Sequence, residues 1–106
     1  MADLYLDSSN SSRVRGLTDY KGVIDDTAVV TVELRDSSDV LVVGESWPKT
    51  MPLFSAGGNY EVFFDPAIVI VSGETYKEII LAVSSVDPTK QTKFVNYRTA
   101  TENAGC

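Results

Sequence analysis

The chain contains no histidine, and its one cysteine, Cys106, is the last residue. Histidine is the commonest general base and metal ligand in proteins, and it is also the usual pH switch. A single cysteine cannot form a disulfide framework or a thiolate metal cluster within one chain. These two absences exclude a Ser-His-Asp catalytic triad and a cysteine-based scaffold.

Positive charge and long apolar runs are also scarce. Nine Lys and Arg against 15 Asp and Glu give the 106 residues a net charge of −6. We expect no direct nucleic-acid partner, because phosphate contacts require clustered cations. The longest mostly apolar runs, 67–71 and 79–83, are shorter than the roughly 20 residues that span a bilayer. The first residues lack the basic and apolar regions of a secretory signal, so we expect a protein made in the cytoplasm with no membrane partner.

The acidic and glycine-rich segments match no known pattern of a metal-binding or phosphate-binding site. Asp25-Asp26 and Asp36–Asp39 are the only close carboxylate groups, and neither has the ligand spacing of a calcium loop. Gly57-Gly58 is followed by neither a lysine nor a helix start, which a phosphate-binding loop requires. The sequence therefore predicts no catalytic, cofactor-binding or metal-binding residue, and we expect no enzyme.

Strand patterns, in contrast, recur along the chain. In residues 28–35, Val30, Val32 and Leu34 alternate with polar residues, which is typical of a half-buried strand. The other predicted strands are Val40–Val43, Lys49–Phe54, Tyr60–Phe64, Ile68–Val71, Tyr76–Ser84 and Lys93–Arg98, with shorter candidates at Leu4–Leu6 and Ser12–Leu17. About seven short strands separated by turns predict an all-β protein, a single antiparallel β-sandwich of immunoglobulin-like type. We expect one domain over 1–98 and a flexible tail over 99–106.

Two aromatic residues have distinctive surroundings. Tyr76 follows a Gly-containing turn at the start of a strand, as in the tyrosine corner of immunoglobulin-like sandwiches, whose hydroxyl bonds to backbone a few residues upstream. Trp47 precedes Pro48 at a predicted sheet edge, where it would be placed to stack on a sugar or a peptide. A further set of aromatic residues could form a binding platform, but we expect these side chains to fill the core: Tyr60, Phe63, Phe64, Tyr76, Phe94 and Tyr97.

The strand Tyr76–Ser84 carries apolar side chains on both faces. If one face packs into the core, Ile79, Leu81 and Val83 lie side by side on the other, and a two-layer sandwich has no further layer to cover them. We predict a protein–protein interface formed by Ile79, Leu81 and Val83. We also predict interface roles for Leu4, Tyr5 and Leu6, in a segment that would pair within its own domain or add a strand to a neighbour.

Six segments carry a resemblance to a known family. They are Ala2–Asp7, Val14–Leu17, Ala28–Asp36, Glu45–Pro48, Gly58–Tyr60 and Ser72–Tyr76. These segments are similar to small structural (virion) proteins of tailed bacteriophages and prophages. The overall plan also resembles the immunoglobulin-like modules of phage heads, necks and tails. Residues 94–98 depart from this pattern.

The resemblance implies a structural virion protein that works by contact, without catalytic residues or cofactors. Its implied partners are connector, capsid or tail subunits and further copies of itself in a homo-oligomer, and its location is the virion, assembled in the host bacterial cytoplasm. A position at the neck, in the head–tail connection, and one as a capsid decoration (cement) protein both fit. A receptor- or carbohydrate-binding module is the alternative from a different class, and it requires an exposed aromatic platform near Trp47.

Overall fold

The computed structural model describes residues 4–6 and 10–101, and within these residues it contains eight β-strands and no helix. The strands are β1 (Leu4–Tyr5), β2 (Ser11–Val14), β3 (Val29–Arg35), β4 (Lys49–Thr50), β5 (Leu53–Ser55), β6 (Asn59–Phe63), β7 (Thr75–Val83) and β8 (Gln91–Thr101). A five-stranded sheet has the order β1-β8-β7-β3-β4, and a three-stranded sheet has the order β2-β6-β5. The predicted all-β sandwich is confirmed.

The core lies between the two sheets. The five-stranded sheet contributes Leu4, Val30, Val32, Leu34, Tyr76, Ile80, Ala82 and Ala100; the three-stranded sheet contributes Val14 and Tyr60. Strand β3 pairs antiparallel with β7 along its whole length, with Val32 opposite Ile80. The alternation seen in the sequence is therefore the alternation of buried and outward residues in these two strands.

The carboxyl-terminal strand is longer than predicted. β8 continues to Thr101 because Thr99 pairs with Thr75 of β7, so residues 99–101 belong to the sheet and not to the expected tail. Residues 102–106 lie outside the described residues. β1 lies beside the end of β8 and runs parallel to it, with Leu4 opposite Ala100. This parallel pair is a departure from the expected antiparallel arrangement.

Two predicted strands are largely replaced by irregular backbone. Ile68–Val71 buries Ile68 and Ile70, as a strand would, but a turn closed by the Ile68 N–H on the Asp65 carbonyl interrupts any ladder. Residues 40–43 approach β3 through only a few bonds, including that from the Val42 N–H to the Leu34 carbonyl at 3.0 Å. These segments close the edge of the core without forming regular strands.

A buried ion pair holds β8 to β7 and to the opposite sheet. The Arg98 guanidinium donates to Glu78 Oε2 at 2.8 Å and to the Ser11 carbonyl at 2.9 Å. Asn96 donates to the other Glu78 carboxylate oxygen at 3.2 Å. Both charged side chains are more than nine-tenths buried, and the partners of each offset part of the desolvation cost.

Candidate interaction surface

The five-stranded sheet turns one side toward the core and the other away from it. We define the outer face as the apolar side chains on the side away from the core: Val29, Ile79, Leu81, Val83, Val95 and Tyr97. Strand register places them in neighbouring rows, with Val29 beside Val83 and Ile79 beside Val95. Directly opposite side chains on a sheet are about 5 Å apart at Cβ, so the outer face is one contiguous apolar surface.

Exposure differs between the strands of the outer face. Ile79, Leu81 and Val83 are half-buried because β7 is the central strand and has neighbours on both sides. Val29 is 57% exposed and Tyr97 is 56% exposed. Among residues 4–6 and 10–101, no third sheet or helix packs over this surface. Contiguous exposed apolar area of this kind marks interaction sites on soluble domains.

Charged side chains of both signs border the outer face, because Glu33 of β3 lies opposite Ile79 on the same side of the sheet as three cations. Arg35, Lys77 and Lys93 lie on the same side of the sheet, in register with Tyr97 or Leu81. Arg35 pairs with Glu33 at 3.1 Å. Lys93 forms no ion pair with any other described residue. Lys93 is therefore the cation of this group whose charge no other described residue neutralises.

The Arg35 guanidinium donates to the Asp39 carbonyl at 2.8 Å, and Lys77 is held by the side chain of the same residue. The Lys77 Nζ lies 3.0 Å from Asp39 Oδ1. This hydrogen bond, and then the charge of Lys77, lower the pKa of the Asp39 carboxyl. Asp39 therefore pairs with Lys77 at the border of the outer face.

The predicted interface residues fall into two groups. Ile79, Leu81 and Val83 lie together on the outer face, as the alternation indicated. Leu4 is completely buried, and its side chain belongs to the core. Tyr5 is 43% exposed and is the most exposed side chain of its segment, since Leu6 packs against the core. The interface roles of both groups stay predictions.

Val29, Val95 and Tyr97 were missed by reasoning from the sequence. Each has the outward parity of its own strand, which the alternation pattern could have shown. The pattern does not give strand order, and only the pairing of β7 with both β3 and β8 brings these residues beside Ile79.

Trp47 has a structural position. Its indole N–H donates to the Val42 carbonyl at 2.7 Å, and its ring packs edge-on against Phe64 with the centroids 5.4 Å apart. The side chain is part of the core border, so it offers no flat exposed platform for a sugar. Exposed aromatic rings include Phe54 and Phe63 on the three-stranded sheet and Tyr97 on the outer face. The expected core positions of Phe63 and Tyr97 were therefore wrong, because both side chains have the outward parity of their strands.

A groove of about 430 Å³ lies on the open side of the sandwich, between β2 and β8. Val14, Ile80 and Phe94 are among the residues that line it, and Arg13 and Asn96 lie at its borders. Arg13 pairs with Glu61 on β6 and is not free for a ligand. The groove shows that the smaller sheet leaves part of β8 uncovered.

Other kinds of site are not found among residues 4–6 and 10–101. This part of the chain contains no group of three or more His, Cys, Asp or Glu residues placed to hold a metal ion. It also contains no helix long and apolar enough to cross a membrane. Comparison of the chain with protein-family models, with curated proteins and with solved structures finds no match.

Proposed function

We propose that the protein is a structural component that acts by protein–protein contact through its outer face. The observation that carries this proposal is the contiguous apolar surface across β3, β7 and β8, with no layer over it among the described residues. Interfaces of stable complexes have such an apolar centre with a polar border. Arg35 and Lys77 already pair with Glu33 and Asp39, so the cation that favours an acidic group at the border of a partner's contact surface is Lys93.

We further propose that this component belongs to the virion of a tailed bacteriophage. The six sequence segments that resemble phage virion proteins support this setting, and an interface without a catalytic constellation is consistent with it. Within the virion, the head–tail connection at the neck is our first placement, and a position as a capsid decoration protein is the second. The two differ in symmetry, since a connector forms closed rings and decoration occupies capsid sites.

The test is incorporation into particles. We expect the protein to be present in stoichiometric amounts in purified particles when measured by quantitative mass spectrometry. On the closed-symmetry expectation, rings of six or twelve copies indicate the neck, and trimers or scattered capsid sites indicate decoration. Absence of the protein from particles would overturn the virion setting.

The variant Ile79→Lys tests the outer face itself. The introduced ammonium group would lie opposite Glu33 of β3, so the fold tolerates it, but it places a charge in the middle of the apolar contact. We expect a loss of about 2 kcal/mol in partner affinity, which is roughly 30-fold. Val23→Lys makes the same change of charge at an exposed valine outside this face and is the control. Equal incorporation of both variants would contradict contact through the outer face.

A further inference from the structure

Strand β8 has an edge with no neighbour over most of its length. β1 lies beside only its end, at Ala100 and Thr101. Along the rest of this edge, from Gln91 onward, no other described strand pairs with β8. An unpaired edge of this length is a template for pairing with another chain.

The direction of the backbone groups shows which residues are available. The Ala100 N–H donates to the Glu74 carbonyl, and the Ala100 carbonyl accepts from the Gly73 N–H, so this residue bonds toward the β7 side. Thr101, one residue later, bonds toward β1 through its carbonyl. Because the direction alternates along a strand, Lys93, Val95 and Tyr97 turn their N–H and C=O groups to the open edge.

The usual protections of an edge strand are weak here. Residues 91–101 contain no proline, and the β7–β8 register runs from Thr75 to Val83 without a shift, so no bulge twists the edge away. Lys93 is the one charged residue among those facing the edge. Val95 is 43% exposed. The edge is thus straight, regular and partly apolar.

We propose that two copies of this chain pair through their β8 edges, antiparallel, with Val95 of each copy on the two-fold axis. In this register Lys93 lies opposite Tyr97 of the other copy, and the reverse pair follows by symmetry. An ammonium group beside a tyrosine ring gains a cation–π contact, and the two copies of Lys93 stay apart. The exposed backbone groups of Lys93, Val95 and Tyr97 are all satisfied by their symmetry mates.

The length of the open edge selects this register. β1 occupies the edge from Ala100 onward in each copy, so the paired region is limited to the residues around 93–97. A pairing centred on Val95 fits that window equally in both copies. A shift of the axis toward Thr101 brings the start of each strand against β1 of the other copy, whereas a shift toward Gln91 leaves the end of the open edge opposite residues that precede β8.

Pairing also extends the outer face. Val95 and Tyr97 lie on the outer side of β8, so the outer faces of the two copies become neighbours in one continuous sheet. The edge contact is formed by backbone groups of β8 with one side-chain pair, Lys93 and Tyr97, whereas the outer-face contact is centred on the side chains of β7. The dimer therefore does not depend on the proposed function.

The first experiment is a cross-link. Val95→Cys in a Cys106→Ser background places two thiols on the two-fold axis, where hydrogen-bonded residues have Cα atoms about 5.5 Å apart, within the range of a disulfide. We expect a disulfide-linked dimer under mild oxidation. Val23→Cys in the same background is an exposed control away from the edge. Equal cross-linking of the two variants would overturn the proposal.

The second experiment removes one edge donor. Val95→Pro deletes an N–H that points away from β7, and edge positions of this kind tolerate proline. We expect at least about a tenfold weaker dimer by sedimentation over a dilution series, whereas Val95→Thr, which keeps the N–H, dimerises like the wild type. A wild-type chain that is monomeric throughout the series, or a Val95→Pro dimer of unchanged affinity, would refute the edge contact.

Two further variants keep the result interpretable. If Val95→Pro is unfolded by circular dichroism, Val95→Lys takes its place, because it sets two ammonium groups against each other on the axis while leaving every β7–β8 bond in place. Ile79→Lys, which disrupts the outer face, is expected to dimerise normally. Loss of the edge dimer and loss of partner contact are therefore distinguishable.

Discussion

At the scale of single residues, the pair Arg98–Glu78 is the most consequential polar contact. A guanidinium and a carboxylate are both buried inside the sandwich, and the Ser11 carbonyl completes the network. Removing one member leaves the other charged and desolvated, which typically costs about 3–5 kcal/mol, whereas replacing both members by apolar residues is often much less harmful. The pair therefore specifies how β8 sits between β7 and β2.

We predict that Arg98→Met lowers the free energy of unfolding by about 3 kcal/mol, measured by urea denaturation. The double variant Arg98→Met/Glu78→Leu is expected to be more stable than the single variant. Arg35→Met, which removes a partly exposed pair with Glu33, is the control and should cost under about 1 kcal/mol. A double variant less stable than Arg98→Met would contradict this account.

The alternation in the sequence was sufficient to predict which residues of β3 and β7 are buried. Val30, Val32 and Ile80 are buried as predicted, because period-two burial is a local property of a strand. The pattern could not show that Glu78 and Arg98 are buried together. Their contact joins residues on two strands whose pairing is known only from the whole sheet.

At the scale of elements, the turn between β5 and β6 holds two segments of the chain in place, one at Leu17 and one at Asp26. Asp26 Oδ1 accepts from the Gly58 N–H at 2.6 Å, and the Leu17 N–H donates to the Gly58 carbonyl at 2.9 Å. Gly58 has φ of +75°, and an added Cβ would lie 2.4 Å from the Leu17 carbonyl oxygen. Only glycine fits there, because both the conformation and the contact exclude a side chain.

We predict that Gly58→Ala is far more destabilising than Gly22→Ala, although φ is positive at both positions. Gly22, at φ +80°, has no atom within 4 Å of the added Cβ, so its cost is the left-handed backbone alone, about 1 kcal/mol. Gly58→Ala should cost about 2 kcal/mol more, because backbone has to move. Thermal unfolding of the two variants measures the difference, and equal melting temperatures would refute it.

The existence and the ends of the strands were harder to predict than which side of a strand is buried. The tyrosine corner was identified correctly, since the Val71 N–H donates to the Tyr76 hydroxyl at 2.8 Å. The predicted strand Ile68–Val71 was wrong because its alternating burial is achieved by a loop held to Val43. The pairing of β1 with β8 joins residues about 96 positions apart, which no local pattern reveals.

Only part of the candidate surface could be predicted, because a local pattern shows the faces of one strand but not which strands lie beside it. Ile79, Leu81 and Val83 follow from one strand with two apolar faces, which is visible in the sequence. Val29 and Val95 join them only through the order of the strands. The apolar centre of the outer face was therefore predictable, and its extent was not.

At the scale of the whole molecule, ionisable groups limit stability at both ends of the pH range. A hydrogen bond from Lys49 lowers the pKa of Glu45 below its ordinary value of 4.5. Burial raises the pKa of Tyr60 above its ordinary value of 10.0. Glu45 stabilises the fold above pH 4.5, and this contribution is lost as pH falls through the lowered pKa. The stability that Tyr60 contributes is lost as pH rises above 10.0 and through the raised pKa.

We predict that Glu45→Gln lowers the free energy of unfolding by about 1 kcal/mol at neutral pH, and that the difference disappears in acid. The carboxylate accepts from Lys49 at 2.6 Å and from the Asp65 N–H at 2.9 Å, and both bonds favour the ionised form. Urea denaturation at a series of pH values measures this difference in the free energy of unfolding. Glu74→Gln, at an exposed residue with no ion pair among the described residues, serves as the control. A difference that persists unchanged in acid would contradict the assignment.

The parallel pairing of β1 with β8 determines how the molecule carries mechanical load. The chain enters β1 at Leu4 and leaves β8 at Thr101, and the two strands point the same way. Tension applied to the chain before Leu4 and after Thr101 therefore pulls the strands past each other lengthwise. The bonds between them, including that from the Leu6 N–H to the Thr101 carbonyl, are then strained together and not one after another. Such a shear arrangement resists extension, whereas an antiparallel pair in the same place would unzip.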